Sequence, residues 1–259
     1  MTDPTLLTHS EAGVATLTLN RPDAHNTLSI ALLTELERAL ATVADDPAVR
    51  VVVLAARGRS FCAGHDAKEM RALDGRAALE ALFDQCSRVM TGLVRLPQPV
   101  IAKVHGAAAA AGCQLVASCD LAYAATSARF ATPGINLGLF CSTPGVALAR
   151  SVGRKAALEM LLSGEPIDAA TAAARGLINR AVVPERLDAE VAAMAALIAS
   201  KPPSALKLGK ATFHRQVDLG LDDAYACAGE AMIANMLTAD AAEGFDAFLA
   251  KRPPVWGGC

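Results

Sequence analysis

HGAAAAAGCQLVASCD, His105 to Asp120, follows the apolar run Pro99 to Val104 without a break. The run reads as a buried strand and the small residues as a tight turn that leads straight into a helix. A strand feeding a helix through such a turn aims backbone N–H groups, at the positive helix end, toward whatever sits there. That arrangement suits negative charge developing on an oxygen, so the turn reads as half of an oxyanion hole.

A second stretch upstream has the same character. Arg50-VVVLAA, an apolar run, leads through Gly58 and Ser60 into FCAGHDAKEM, residues 61 to 70. Gly64 permits a sharp turn there, leaving the N–H of His65 without a strand partner. Two such N–H groups converging on one point would polarise a carbonyl.

Strands and helices alternate outward from these turns. Val14 to Leu19 alternates Thr with apolar residues, as a half-buried strand does. Ser29 caps a helix bearing Ile30, Leu33, Leu36, Leu40 and Val43, ending near Pro47. Val51 to Leu54 is a short strand, 77–95 a helix closed by Pro97 and Pro99, and Val100 to Val104 another strand. A helix from Ala111, a strand over Leu121 to Ala124, and helices over 144–151, 154–162 and 168–175 follow. The class is α/β. From about Leu187 the strand signals vanish, and the chain is helix-patterned through Phe248, interrupted at Lys201-Pro-Pro-Ser204.

At 259 residues, 53% hydrophobic but only 4% aromatic, the chain builds its core mostly from Ala, Leu and Val. A net charge of −2 without a basic cluster gives no reason to expect nucleic acid or an anionic membrane as partner. The run 99–125 includes Lys103, His105 and Asp120 and is not a membrane span. MTDPTLLTHSEAG shows neither signal-peptide nor transit-peptide features, so a cytoplasmic location is expected. The seven cysteines (62, 86, 113, 119, 141, 227 and 259) lack CxxC and zinc spacing and read as reduced thiols, with no metal site. Neither GxGxxG after a strand, nor GxxxxGK[ST], nor GxSxG occurs.

LNRPDAHNTLS, AGHDAKEM, HGAAAAAGCQLVASCD, ATPGINLGLF and VGRKAALEMLLSGEPIDAATAAARGLINRAVVP together resemble the crotonase, or enoyl-CoA hydratase/isomerase, superfamily over nearly the whole chain. GCQLVASCD with TPGINLGLFCSTPGVALAR is further similar to its enoyl-CoA hydratase domain-containing protein 3 subgroup. The resemblance implies a spiral of ββα turns over 1–197, with a helical oligomerisation region over 198–259. It implies a homotrimer or dimer of trimers and an acyl-CoA as substrate or ligand, with no other cofactor. The backbone N–H groups of His65 and Ala111 would grip the thioester carbonyl. Ala63, His65, Asp66, Ala67 and Lys68 would line the pantetheine and nucleotide, with Lys68 near phosphate. Arg21, Ala24 and His25 would touch the nucleotide end, and a neighbouring subunit would supply Phe248 and Lys251; KRPPVWGGC would sit near that contact.

The departures bear on chemistry. Typical hydratases of the family carry glutamates where this chain has Gln114 and Gly134. Hydration needs one group to take a proton from water and another to protonate the α-carbon. An amide does not trade protons at neutral pH, and glycine has no side chain. Efficient hydration is therefore not expected, and restoring both glutamates is expected to raise the rate. Two readings follow: an enoyl-CoA hydratase-like lyase or isomerase using other groups, or a catalytically weak acyl-CoA-binding oligomer with a regulatory role. Cys141 and Ser142 fall in the loop where relatives with other chemistries place an acid or base, although packed side chains are the plainer reading. Gln114 reads equally as a buried amide satisfied by backbone, His105 as a locally bonded side chain, and Asp66 and Asp120 as acceptors holding turns.

Overall fold

Alternation in Val14–Leu19 puts Ala15, Leu17 and Leu19 on one face, and all three are fully buried in the computed structural model. The structure describes residues 3–257; Met1, Thr2, Gly258 and Cys259, and with them the ends of MTDPTLLTHSEAG and KRPPVWGGC, lie outside the described residues.

Strand β1 (Leu6–Glu11) forms a hairpin with β2 (Val14–Leu19), Leu6 opposite Leu19 and Glu11 opposite Val14. The two-residue link Ala12-Gly13 has positive φ at both positions, which suits the hairpin twist. Ser29 Oγ then accepts the Leu32 N–H to open α1 (Ile30–Asp45). Its inward face is Leu32, Leu33, Leu36, Leu40 and Val43; Ile30 stays outside. Strands β3 (Val51–Ala56) and β4 (Ser60–Cys62) lead to helices α2 (Ala67–Ala72) and α3 (Gly75–Arg95). Strands β5 (Val100–Val104) and β6 (Ala107–Ala109) lead to α4 (Ala111–Ser118). Strands β7 (Leu121–Ala125) and β8 (Arg129–Ala131) lead through a 3₁₀ turn, Pro133–Leu137, to α5 (Ser142–Ser151) and α6 (Arg154–Ser163). Then come β9 (Ile167–Asp168), α7 (Ala169–Ala174), β10 (Arg180–Val182) and four helices: α8 (Leu187–Ala199), α9 (Pro203–Gln216), α10 (Leu221–Met236) and α11 (Ala239–Leu249).

The strands sort into two sheets. One has the order β1-β2-β3-β5-β7-β10, parallel from β2 onward; the other is β4-β6-β8-β9. Each of the pairs β3/β4, β5/β6 and β7/β8 places its first strand in the large sheet and its second in the small one before a helix returns the chain. This is the ββα spiral that the resemblance implies, repeated without a sequence repeat.

Both faces of the large sheet are covered, which is why its strands read as continuous apolar runs. Val52, Leu54, Val100 and Ala102 face the main core with α1, α3 and α4. Val51, Val53, Ile101 and Tyr123 face the other way, under Leu187, Val191 and Ala195 of α8.

The last helices are tied to this body by a buried ionic cluster. Lys210 Nζ, on α9, lies 2.6 Å from Asp120 Oδ2 and donates to the carbonyls of Leu93 and Gln98, both at 3.0 Å. Asp120 also accepts the Val100 N–H at 2.7 Å and lies 3.2 Å from His214 Nε2. Asp120 is thus an acceptor as expected, but across the fold rather than within its turn. His105 corrects its expectation: it bonds the Gly58 carbonyl at 2.9 Å, 47 residues away, because β4 and β6 pair and bring those loops together. Among the described residues no helix is long and apolar enough to cross a membrane, no His/Cys/Asp/Glu group is placed to hold a metal, and six cysteines are free thiols.

Candidate active site

The small residues of the 105–112 turn are required by close approach. A β-carbon on Gly106 would lie 2.4 Å from the Arg59 carbonyl oxygen, and one on Gly112 2.0 Å from that of Cys62. The head of α4 is therefore pressed against the β4 strand and its exit. Gly64, at φ +98°, sits on the same contact: a β-carbon there would stand 2.9 Å from Ala110 Cβ and 3.4 Å from the Ala111 nitrogen. The two glycine turns read separately from the sequence touch one another.

This contact packs the turn that precedes His65 against the head of α4. Around His65 the ladder bonds are made by its neighbours: Leu28 N–H donates to the Gly64 carbonyl, and Asp66 N–H donates to that of Leu28. His65 N–H has no backbone acceptor among the described residues. Ala111 is the first residue of α4, so its N–H has no acceptor within the helix. Ala110, just before it, is held at φ 50°, ψ −118°, a conformation that glycine tolerates and alanine resists at a cost of about 1–3 kcal/mol.

Side chains around Ala110 complete the site. Gln114 lies one turn along α4, its N–H bonded to the Ala110 carbonyl; the side chain is 4% exposed, and Oε1 is buried without a partner. The expectation of a backbone-satisfied amide is corrected, since no hydrogen bond among the described residues reaches Gln114 Oε1. Ala110 N–H donates to the Ala131 carbonyl, which brings in Thr132, fully buried with Oγ1 unpartnered. The His65 ring packs edge-on to Phe83 at 5.6 Å, and its buried Nε2 is likewise unpartnered. Burial pushes the His65 pKa down, so the ring is neutral.

Gly134 and Cys141 lie against each other between β8 and α5. Burial pushes the Cys141 thiol up, with the Gly134 backbone opposing it. The nearby Cys141 adds to the burial that raises the Cys113 thiol to about 12. Ser142 is exposed, its hydroxyl donating to the Phe140 carbonyl at 3.3 Å.

The entrance loop is organised by Asn26, Arg21 and Asp66. Asn26, buried and at φ 53°, takes the Arg21 N–H on Oδ1 and donates from Nδ2 to the carbonyls of Arg57 and Ser60. Arg21 pairs with Asp66 at 3.0 Å and also donates to Thr27. Asp66 caps α2 by accepting from Lys68 N–H and Glu69 N–H. Arg21 beside it, above all, holds its carboxyl below the usual range. His25 is exposed, with Nδ1 3.1 Å from Ser60 Oγ; Ala24 is half-buried, and Ala63, Ala67 and Lys68 are exposed along the same edge. Phe248, 79% exposed, lines a groove of the helical region with Phe245 and Trp256; Lys251 follows α11 at φ 54°. No hydrogen bond among the described residues links these two to the loops of His65 and Ala111.

Sequence reading missed Asn26, Thr132 and Phe83. For Asn26 a signal was present, because asparagine tolerates the left-handed backbone that such loops need. Thr132 and Phe83 acquire meaning only from what they face.

The family model for Enoyl-CoA hydratase/isomerase matches residues 9–259. The chain is 46% identical to the mitochondrial enoyl-CoA hydratase domain-containing protein 3 of Xenopus laevis, over 98% of this chain and 86% of that protein. It is 47% identical to the human one, over 94% and 80%. Among solved structures it is similar to an enoyl-CoA hydratase of Mycobacterium smegmatis, at 57% identity and TM-score 0.96, over 98% and 99% of the two chains. The human domain-containing protein 3 gives 46% and TM-score 0.95, over 97% and 100%. The cytoplasmic location expected from the sequence is corrected by these relatives, whose names carry the mitochondrion. A compartment address is a detachable signal that the folded body does not encode. The two touching glycine turns, the ββα spiral and the match across residues 9–259 make this chain a member of the enoyl-CoA hydratase/isomerase family, of crotonase fold.

Proposed function

We propose that this protein binds an acyl-CoA, polarises its thioester carbonyl with the N–H groups of His65 and Ala111, and hydrates enoyl-CoA poorly. One observation supports the reading: the Gly64 turn that precedes His65 packs against the head of α4 at Ala110 and Ala111, and the resemblance sets Gln114 and Gly134 where typical hydratases carry glutamates. A pair of N–H donors stabilises an oxyanion or enolate, each donor being worth about 10²–10³ in rate. Proton transfer to the α-carbon and from water is a separate requirement, and a buried amide with a glycine supplies neither. The edge formed by Ala63, Asp66, Ala67 and Lys68, with Arg21, Ala24 and His25, suits a pantetheine and nucleotide lying across the surface.

Exposed apolar residues support an oligomer. Leu221, Tyr225, Leu237, Phe248 and Leu249 are each more than 70% exposed on the last helices. A trimer, or a dimer of trimers, would bury them and bring Phe248 and Lys251 to a neighbour's nucleotide; sedimentation of the purified protein checks this. The catalytically weak binder with a regulatory role is the second reading, favoured by the same two departures.

Calorimetry with crotonyl-CoA and loss of enoyl absorbance, beside an authentic hydratase, test the proposal. Binding with a hydration rate at least about 10² below the control is expected. A rate equal to the control overturns the weak-hydratase reading, and absence of binding overturns both readings.

A further inference from the structure

Beyond α11 the chain is bound back onto the helix it has just left. The helix closes with the Lys251 N–H on the Phe248 carbonyl at 3.2 Å and the Arg252 N–H on the Ala247 carbonyl at 3.0 Å. Glycine usually stands at the first of these places, because the backbone there is left-handed. Here an exposed lysine holds it, at φ 54°. From Arg252 the chain runs back along α11. The Arg252 guanidinium meets both Glu243 carboxylate oxygens, at 2.6 and 2.7 Å, and the same carboxylate accepts the Val255 N–H at 2.7 Å. Gly257 N–H reaches Asp240 Oδ1 at 3.0 Å, nearer the helix start. Trp256 fastens the segment to the body. Its Nε1–H donates to the Ser200 carbonyl at 2.9 Å, in the link between α8 and α9, and the next carbonyl, of Lys201, accepts from Arg50 at 2.8 Å. The indole lies against Gly244, where a β-carbon would stand 3.5 Å from the ring, and it lines one groove with Phe245 and Phe248.

We infer that residues 252–257 are a strap, and that Trp256 is a positioning residue that fixes Phe248 and Lys251 to meet the nucleotide end of an acyl-CoA held by a neighbouring subunit. The inference rests on the acyl-CoA and oligomer readings above. Exposed side chains at the end of a terminal helix fray with it, and ordering them on binding weakens the complex. The strap removes that loss from both sides. Glu243 grips the turn just after Lys251, and the Ser200 carbonyl holds the indole in the groove that Phe248 shares. An exposed ring followed by an exposed ammonium suits a purine and its phosphates, the base stacking on one and the phosphate pairing with the other. Trp256 itself is half-buried in its seat and acts through Phe248.

The test is calorimetry of the full-length protein with butyryl-CoA and with butyryl-pantetheine, which lacks the nucleotide, alongside sedimentation of each variant. Wild type should bind butyryl-CoA the more tightly. W256A should sediment as wild type does, bind butyryl-pantetheine unchanged and lose about tenfold in butyryl-CoA affinity. W256F, which keeps a ring in the groove, should recover part of that loss. F248A should lose at least as much, and F248A/W256A no more than F248A alone, because one residue acts through the other. E243Q loosens the strap without changing the aromatic residues, and it should show the same split between the two probes even where W256A fails to fold. Equal loss with both probes, no loss with either, additive losses in the double variant, or equal affinity of wild type for the two probes overturns the inference alone. A wild type that sediments as a monomer overturns the oligomer reading, and one that binds neither probe overturns the acyl-CoA reading, each taking the inference with it.

Discussion

Cys141 Sγ and a β-carbon on Gly134 claim one place, 2.7 Å apart, and the Leu139 carbonyl oxygen closes it from another side at the same distance. Position 134 is therefore a glycine held by its neighbours, with no room for a side chain unless they move. The sequence suggests that restoring both glutamates would raise the hydration rate; the packing says that the second cannot simply be added. Gly134→Glu should lower stability by about 1–3 kcal/mol, as overpacking does, and give no hydratase activity. Gln114→Glu alone, nearly isosteric, should fold and raise crotonyl-CoA hydration at least about tenfold, since it restores one proton-transfer group. Thermal unfolding and initial rates of the two single variants check both statements.

Ala110→Gly should stabilise the protein by about 1 kcal/mol, because glycine accepts φ 50°, ψ −118° without the β-carbon's clash and the relief exceeds the added chain entropy. Acyl-CoA affinity should be retained, since the Ala111 N–H remains. Urea unfolding midpoints measure the first effect, calorimetry the second.

Lys210→Met should cost about 3–5 kcal/mol, because it leaves Asp120, 17% exposed, without its main counter-charge. Adding Asp120→Asn should recover part of the loss, a coupling that a double-mutant cycle reads. Burial, only partly offset by Asp120, holds the Lys210 pKa below 10.5. The folded state thus binds fewer protons than the unfolded chain between the lowered pKa and 10.5, and this group's contribution to stability rises with pH across that window.

Asp66 behaves oppositely. Arg21 depresses its pKa below 3.8, so its contribution is complete above that value and is lost as pH falls through the folded pKa. Asp66→Ala removes the cap of α2 as well as the pairing with Arg21. A loss of about 1 kcal/mol is expected from the cap, with weaker acyl-CoA binding because the entrance loop loosens. Acid-unfolding midpoints of wild type and variant should converge below pH 3.8.

Much of the fold was legible because period and punctuation are local. Val14–Leu19, the Ser29 cap, Val100–Val104 and the helix from Ala111 stand where alternation, capping and apolar runs put them. The three-residue strands β4, β6 and β8 were not legible: Ala107–Ala109 has no β preference of its own and is a strand because Cys62 and Phe130 flank it. Boundaries slipped by a residue or two, as at 144–151 against Ser142–Ser151.

The sequence by itself determined the class, the two glycine turns, the resemblance to the enoyl-CoA hydratase/isomerase family and the absence of glutamate at 114 and 134. These follow from residue type, which is fixed before folding. Only the tertiary structure decided that Gly64 touches Ala110, that His105 reaches Gly58, that Gln114 and Thr132 keep unpartnered atoms, and that Cys141 fills the space beside Gly134. Those facts depend on which distant segments share a few ångströms, and close packing, not local propensity, settles that.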